Sequence, residues 1–410
     1  MKNNKYFKKY NSIQKEEISA ALGVLKSGVL SDFIASYPNG FYGGKYNRLF
    51  EKKLAQFYKV KHAITLNSWT SGLIAAVGAL EINPGDEIIV SPWTMSATAT
   101  AILHWNAIPV FADIEDETFC LDPEKVKKLI NKKTKAIITI DIFGHPSNVK
   151  GLKKIVKKKN IKIISDSAQS PFSYNNNKLS GTDTDIGGYS LNCHKHIQTG
   201  EGGFIVTNNS TLAERARLIR NHAECIVNKR ENIKINNMIG YNFRMGEIEA
   251  AIGIQQLKKL KKIVKKKNTI ANYLTKRLKI LKGLKLPITK LKCTHSYYTY
   301  PMIIDIDLVK FSRKQLFKEL AKKGLSGFVE GYTNLHLLPM YQKKIAHGSK
   351  GHPWSTFNSK VSYKKGICPV AERLQEKTFL NFELCKYDLS KQNLNFICNT
   401  FIKVWKKLDK

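Results

Sequence analysis

No run of eighteen apolar residues occurs in the 410 residues of this chain, so no helix of ordinary length is expected to cross a membrane. The N-terminus, MKNNKYFKKYNSIQKEE, lacks the apolar stretch of a signal peptide, and a cytoplasmic protein with no membrane partner is expected. The seven cysteines are odd in number and scattered, with no C-x-x-C pair, which argues against a disulfide framework, a zinc site or an iron–sulfur cluster. No H-E-x-x-H run is present either, and no metal is expected. Acidic residues are few, 32 against 68 Lys and Arg, leaving a net charge of +36. Such a charge suggests phosphate binding. Arginine is scarce, however, no helix-turn-helix or finger signature appears, and base-stacking aromatics are not interleaved with the charge. The lysines gather in KKLINKKTK, LKKIVKKKNIK and LKKLKKIVKKKN, alternating with Ile, Leu and Val at helical spacing. That is the pattern of solvated faces on amphipathic helices, and no nucleic-acid partner is expected.

What is present is a 42% hydrophobic fraction on a chain long enough for two domains. From about Lys61 to Asn208 one unit repeats: a short apolar run, a polar turn, a helical pattern. The runs are HAITL, DEIIVS, IPVFADI, KAIITIDIF, IKIISD, GGYSLN and GGFIVT. Strands alternating with helices predict an α/β unit with a mostly parallel sheet covered on both faces. After GGFIVTNN the pattern turns helical, and MGEIEAAIGIQQLKKLKKIVKKKNTIANYLTKRLKIL forms a natural connector. From Thr294 onward, YYTYPMIIDID, SRKQLFKELAKKG and a polar loop near residues 343 to 360 suggest a smaller α+β unit. The expected division is residues 1–265, a large domain with an N-terminal arm, and 266–410, a small C-terminal domain.

In open α/β sheets ligands collect at the carboxyl ends of the strands, which selects four stretches. In LNSWTSGL, residues 66 to 73, Asn67, Ser68, Thr70 and Ser71 precede a helix, as an ordinary N-cap or as a phosphate site. In IKIISDSAQS, residues 161 to 170, a buried strand runs into Asp166, which either caps the next turn or meets a cation, with Gln169 three residues on. In NCHKHIQTGEGG, residues 192 to 203, Lys195 stands between two histidines and two glycine-containing strands. A desolvated nucleophile, a metal site and a surface charge all remain open there. In GYNFRMGEIEAAIG, residues 240 to 253, Asn242 and Arg244 enter a helix and are able to reach an anion or a neighbouring subunit.

In this order the four stretches resemble the DegT/DnrJ/EryC1/StrS sugar aminotransferases, fold type I enzymes dependent on pyridoxal phosphate. The resemblance runs from SGVLSDF through FYGGKYNRLFEKKLAQFYKVKHAITLNSWTSG, NPGDEIIVSPWT, IPVFADI, ISDSAQS, the HKHIQTGEGG turn and GYNFRMGEIEAAIG to HLLPMY and ICPVAERL. It implies a large three-layer αβα domain with a smaller C-terminal α+β domain. By the same resemblance Lys195 forms the Schiff base with pyridoxal phosphate, Asp166 partners the pyridinium nitrogen and Gln169 contacts the ring. Thr70, Ser71 and Ser190 hold the phosphate, and Asn242 reaches the phosphate of the other subunit in a homodimer.

The implied reaction moves an amino group, glutamate being the donor in the family, to a keto-sugar that is commonly nucleotide-linked, in amino-sugar or polysaccharide biosynthesis. Substrate contacts are expected from Tyr42, Lys45, Trp93, Glu330, Tyr332 and His336. The chain departs from the family pattern at Trp69, where a glycine is usual, and at Met95, where an aromatic often stacks on the cofactor. Relatives that replace the lysine by histidine eliminate water instead. A sugar dehydratase and a non-catalytic regulatory member are therefore the alternatives.

Overall fold

The computed structural model describes residues 7–227 and 238–410, so the first six residues of the expected arm lie outside it. Each of the seven apolar runs forms a strand of one sheet: β1 His62–Leu66, β2 Glu87–Val90, β3 Ile108–Phe111, β4 Thr134–Ile140, β5 Lys162–Asp166, β6 Ile186–Ser190 and β7 Gly203–Thr207. Their spatial order is β1-β7-β6-β5-β4-β2-β3. All are parallel except β7, which runs antiparallel to both its neighbours.

Alternate residues on these strands feed separate cores, as a period of two requires. Ile138, Ile164 and Ile205 face a cluster shared with α3 Trp69–Ala79, α4 Ala97–His104 and α7 Ser210–Arg220. Ile137 and Ile163 face a second cluster with α5 Pro123–Leu129 and α6 Val149–Val156. Phe204 and Val206 face a third, with α2 Lys45–Tyr58 and the start of α8 Glu247–Leu278. The expected α/β sandwich, helices over both faces of a mostly parallel sheet, is what the chain forms. The long connector is the single 32-residue helix α8. Its buried Ala250, Ile254, Leu257, Leu260 and Val264 belong to the large unit, and from Ile270 to Leu278 its buried residues join the C-terminal core.

That second core gathers around a four-stranded antiparallel sheet, β8 Leu284–Lys285, β9 Tyr300–Ile304, β10 Phe328–Val329 and β11 Phe379–Phe382, with α9 Arg313–Lys322 and α10 Lys391–Leu408. Residues 335 to 374 do not stay with it. Leu335, Tyr341, Trp354, Tyr363, Cys368 and Ala371 pack into the core of the large unit, where the Tyr363 hydroxyl donates to the Pro109 carbonyl (2.7 Å). This return brings the preceding loop, with Gly331 and Tyr332, over the strand ends. Among the described residues no helix is long and apolar enough to cross a membrane.

Candidate active site

Parallel strands end on one edge, and three of them deliver their last residue to a single cavity of about 340 Å3: Ile140 of β4, Asp166 of β5 and Ser190 of β6. The N-terminus of α3 forms the neighbouring wall. Its cap, Ser68, accepts from the Ser71 amide (3.0 Å), as N-cap serines do, and Ser68, Trp69 and Thr70 line the cavity. Ser71 stands next to the lining, its hydroxyl 2.9 Å from that of Ser68. Gly203 lies so close beneath that a Cβ there would stand 2.5 Å from the Trp69 nitrogen. The site is therefore built on the glycine run that ends the turn.

That turn links β6 and β7, and backbone bonds from Cys193 to the Gly200 carbonyl (2.9 Å) and from Thr199 to the Leu191 carbonyl (2.9 Å) fix it. Gly200 has φ +85°, a left-handed conformation glycine adopts without strain. The chain turns and bends over residues 193 to 197 instead of running extended, and this separates the two histidines from each other. His194 is exposed and lines the cavity. His196 is fully buried, its Nε2 2.9 Å from the Ser296 carbonyl, and burial pushes its pKa down to about 3. Lys195 turns into the cavity and lies over the Tyr298 ring, its Nζ 4.6 Å from the centroid. Desolvation lowers its pKa, and Asp166 and Cys385 oppose that shift.

Asp166 is buried, and desolvation raises its pKa against the pull of three hydrogen bonds and Lys195. Trp69 Nε1 donates to Oδ1 (2.7 Å), the Ala168 amide donates to the same oxygen (3.2 Å), and Thr98 Oγ1 donates to Oδ2 (2.9 Å). Gln169 accepts from the Phe143 amide (2.8 Å) and donates Nε2–H to the Tyr332 hydroxyl (3.0 Å). The Tyr332 phenol is pushed up to about 12 by burial and by Asp166. A second cavity of about 430 Å3 opens outward and shares His194, Tyr298 and Tyr332 with the first; Asn381, Glu383 and Lys386 stand on its wall.

Of the residues expected from sequence, Lys195, Asp166, Gln169, Ser190, Thr70 and Tyr332 come together. Others do not. Trp93 is fully buried among Phe119, Phe143 and Phe379 and donates to the Tyr332 carbonyl (2.5 Å), so it supports the wall without reaching the cavity. His336 is equally buried, paired to Glu372 (2.9 Å). Glu330 is exposed and pairs with Arg313 (3.5 Å), although its neighbours Val329 and Gly331 line the outer cavity. Tyr42 lies under Arg217 (5.8 Å), Lys45 opens α2 and Asn242 is exposed beside Asn221. None of these six lines either cavity within one chain. Sequence reasoning missed Thr98 and Tyr298, which sit in unremarkable runs and owe their place to the tertiary fold.

The chain matches the model of the DegT/DnrJ/EryC1/StrS aminotransferase family over residues 13–378. It belongs to that family. GDP-perosamine synthase of Vibrio cholerae is 33% identical over 73% of this chain and 80% of its own length. UDP-4-amino-4,6-dideoxy-N-acetyl-beta-L-altrosamine transaminase of Helicobacter pylori is 32% identical over 81% of this chain and 84% of its own. In fold the chain also resembles a solved structure of Escherichia coli GDP-4-keto-6-deoxy-D-mannose-3-dehydratase with bound hydrated PLP, at a TM-score of 0.79 and 24% identity over 96% of this chain and 99% of that one. As a member of the DegT/DnrJ/EryC1/StrS family, the protein is a pyridoxal-phosphate-dependent aminotransferase. Its cavity suits that cofactor: an amine held in a largely desolvated place, a buried carboxylate for a ring cation, and hydroxyls at a helix N-terminus for a phosphate. Among the described residues no group of three or more His, Cys, Asp or Glu forms a metal site.

Proposed function

We propose that this enzyme passes an amino group from glutamate to the keto group of a nucleotide-linked sugar, in the cytoplasm and as a homodimer. The observation that carries the reading is Lys195, which shares one cavity with Asp166. Bound pyridoxal phosphate supplies an electron sink for charge developing on the donor's Cα. Lys195 Nζ would hold the cofactor and, when free, would be the base for the proton on that Cα; its lowered pKa favours the neutral amine that both roles need. Asp166, ionised, holds the proton on the ring nitrogen. Ser68, Thr70 and Ser190 offer hydroxyls to the phosphate, and Gln169, braced by Tyr332, bears on the ring.

The fold accommodates both transamination and dehydration, so the residue at the turn discriminates between them. Here it is a lysine, with His196 buried against Ser296 and unable to take its place, which favours amine transfer. Two relatives named for GDP- and UDP-linked sugars support a nucleotide sugar, and the outer cavity with Asn381, Glu383 and Lys386 offers it polar partners. The dimer is supported by an apolar face on α1 Lys15–Ser27, where Ile18, Leu22 and Leu25 are each about half exposed, continued by Val29, Leu30 and Ile34. Incubating the protein with pyridoxal phosphate and glutamate should release 2-oxoglutarate in a single turnover, and a nucleotide-linked keto-sugar should allow repeated turnover. Lys195→Ala should abolish both. Loss of a sugar hydroxyl with no nitrogen gained by the sugar, the donor nitrogen leaving as ammonia, would replace this reading by the dehydratase.

A further inference from the structure

The Trp69 indole occupies a slot that the chain makes with glycines. A Cβ on Gly72 would stand 2.4 Å from Trp69 Cε3, and one on Gly188 would stand 1.9 Å from Cζ3. Gly188 is the sheet partner of Asp166, so the slot delivers the indole edge directly beside the carboxylate. There Nε1 donates to Oδ1 at 2.7 Å with the indole 5% exposed. An indole N–H donates only, whereas the Thr98 hydroxyl on Oδ2 is able to accept as well. Oδ1 thus has two fixed donors, Trp69 and the Ala168 amide, and any proton the carboxyl takes up goes to Oδ2.

We propose that Trp69 is a positioning residue: it ties up Oδ1 of Asp166, keeps the carboxyl ionised and leaves Oδ2 to meet the cofactor's ring nitrogen. The proposal rests on the cofactor reading above. The titratable groups bearing on Asp166 are Lys195 from the turn and Tyr332 from the small-unit loop. Asp141, also buried nearby, is bonded instead to Ser147, Ser165 and Ser167. With the indole donor gone, Asp166 takes its proton at a higher pH, and cofactor affinity, which needs the carboxylate, is lost at a correspondingly higher pH.

The test replaces Trp69 by benzothienylalanine, which keeps the bicyclic shape and has sulfur in place of N–H, with Trp69→Phe as a second variant. The dissociation constant of the stripped full-length protein for pyridoxal phosphate is measured from pH 5 to 8. At neutral pH the isostere should bind about tenfold more weakly, about 1.4 kcal/mol, and the deficit should widen as pH falls. Kd values within twofold of wild type with superimposable pH profiles would refute the role of Trp69, even if thermal stability dropped. A wild-type protein that takes up no pyridoxal phosphate would instead overturn the cofactor reading itself.

Discussion

Replacing Asp166 by asparagine should separate function from folding. In the native site two donors point at Oδ1 and one hydroxyl at Oδ2. An asparagine oxygen in the Oδ1 position keeps the Trp69 and Ala168 bonds, and its amide nitrogen donates to Thr98 Oγ1, whose hydroxyl rotates to accept. All three contacts are kept, and only the Thr98 hydroxyl proton loses its carboxylate acceptor. The native carboxyl has its pKa raised by burial, so the stability it contributes is present at low pH and is lost as pH rises through the folded pKa. Asparagine removes that loss.

The cofactor-free variant should therefore unfold in urea at a midpoint equal to or above wild type at neutral pH. Catalysis should fall steeply. A charge-assisted hydrogen bond is worth about 1.5–3 kcal/mol, and losing the anion that holds the ring proton removes at least one such bond, so kcat/KM should drop by about 10- to 150-fold or more. The assay pairs urea denaturation of the stripped protein with 2-oxoglutarate release from glutamate. A variant retaining more than half of wild-type kcat/KM, or one whose urea midpoint collapses along with its activity, would refute the assignment of Asp166 to the cofactor.

Burial holds His196 and His145 at about 3 and about 4, below their unfolded value, so both stabilise the fold above pH 6.5 and that stability is lost as pH falls. By pH 5 the loss is about 2 kcal/mol for each, at 1.36 kcal/mol per pH unit, while the raised pKa values of Asp141 and Asp166 act in the opposite direction. His196→Asn should flatten the acid side of a plot of urea midpoint against pH, and an unchanged slope would contradict the assignment. Glu51→Gln should destabilise the protein by about 3–5 kcal/mol, because Glu51 pairs with the fully buried Arg220 (2.6 Å); urea denaturation measures it, and activity per folded molecule should not change. Leu22→Glu with Leu25→Glu should convert the proposed dimer to monomer in sedimentation; a dimer of unchanged strength would place the interface elsewhere.

Much of this protein is legible along the chain. The seven apolar runs, most of them rich in β-branched residues and bounded by polar turns, become the seven sheet strands because local periodicity decides which segments pair and which faces bury. The order of a hydroxyl-rich helix start, a strand-end Asp166 and a lysine turn gave the family, because those are local patterns in fixed sequence. The single residue Lys195 also selected the chemistry: histidines flank it, and the bend of the turn sends His196 into the core while His194 stays exposed.

Contacts between distant segments were decided by the tertiary fold alone. Thr98 and Trp69 reach Asp166 across 68 and 97 residues, Tyr298 lies over Lys195, and Tyr332 braces Gln169. Trp93 and His336 look like substrate residues in sequence and are structural in space: Phe119, Phe143 and Phe379 enclose the first, and the second lies in the return of residues 335 to 374 onto the large unit. Trp69 joins the two levels. Sequence marks it only as a departure from a glycine, and its partner, Asp166, follows from the slot that Gly72 and Gly188 leave open, because where a side chain fits depends on neighbours that no local pattern specifies.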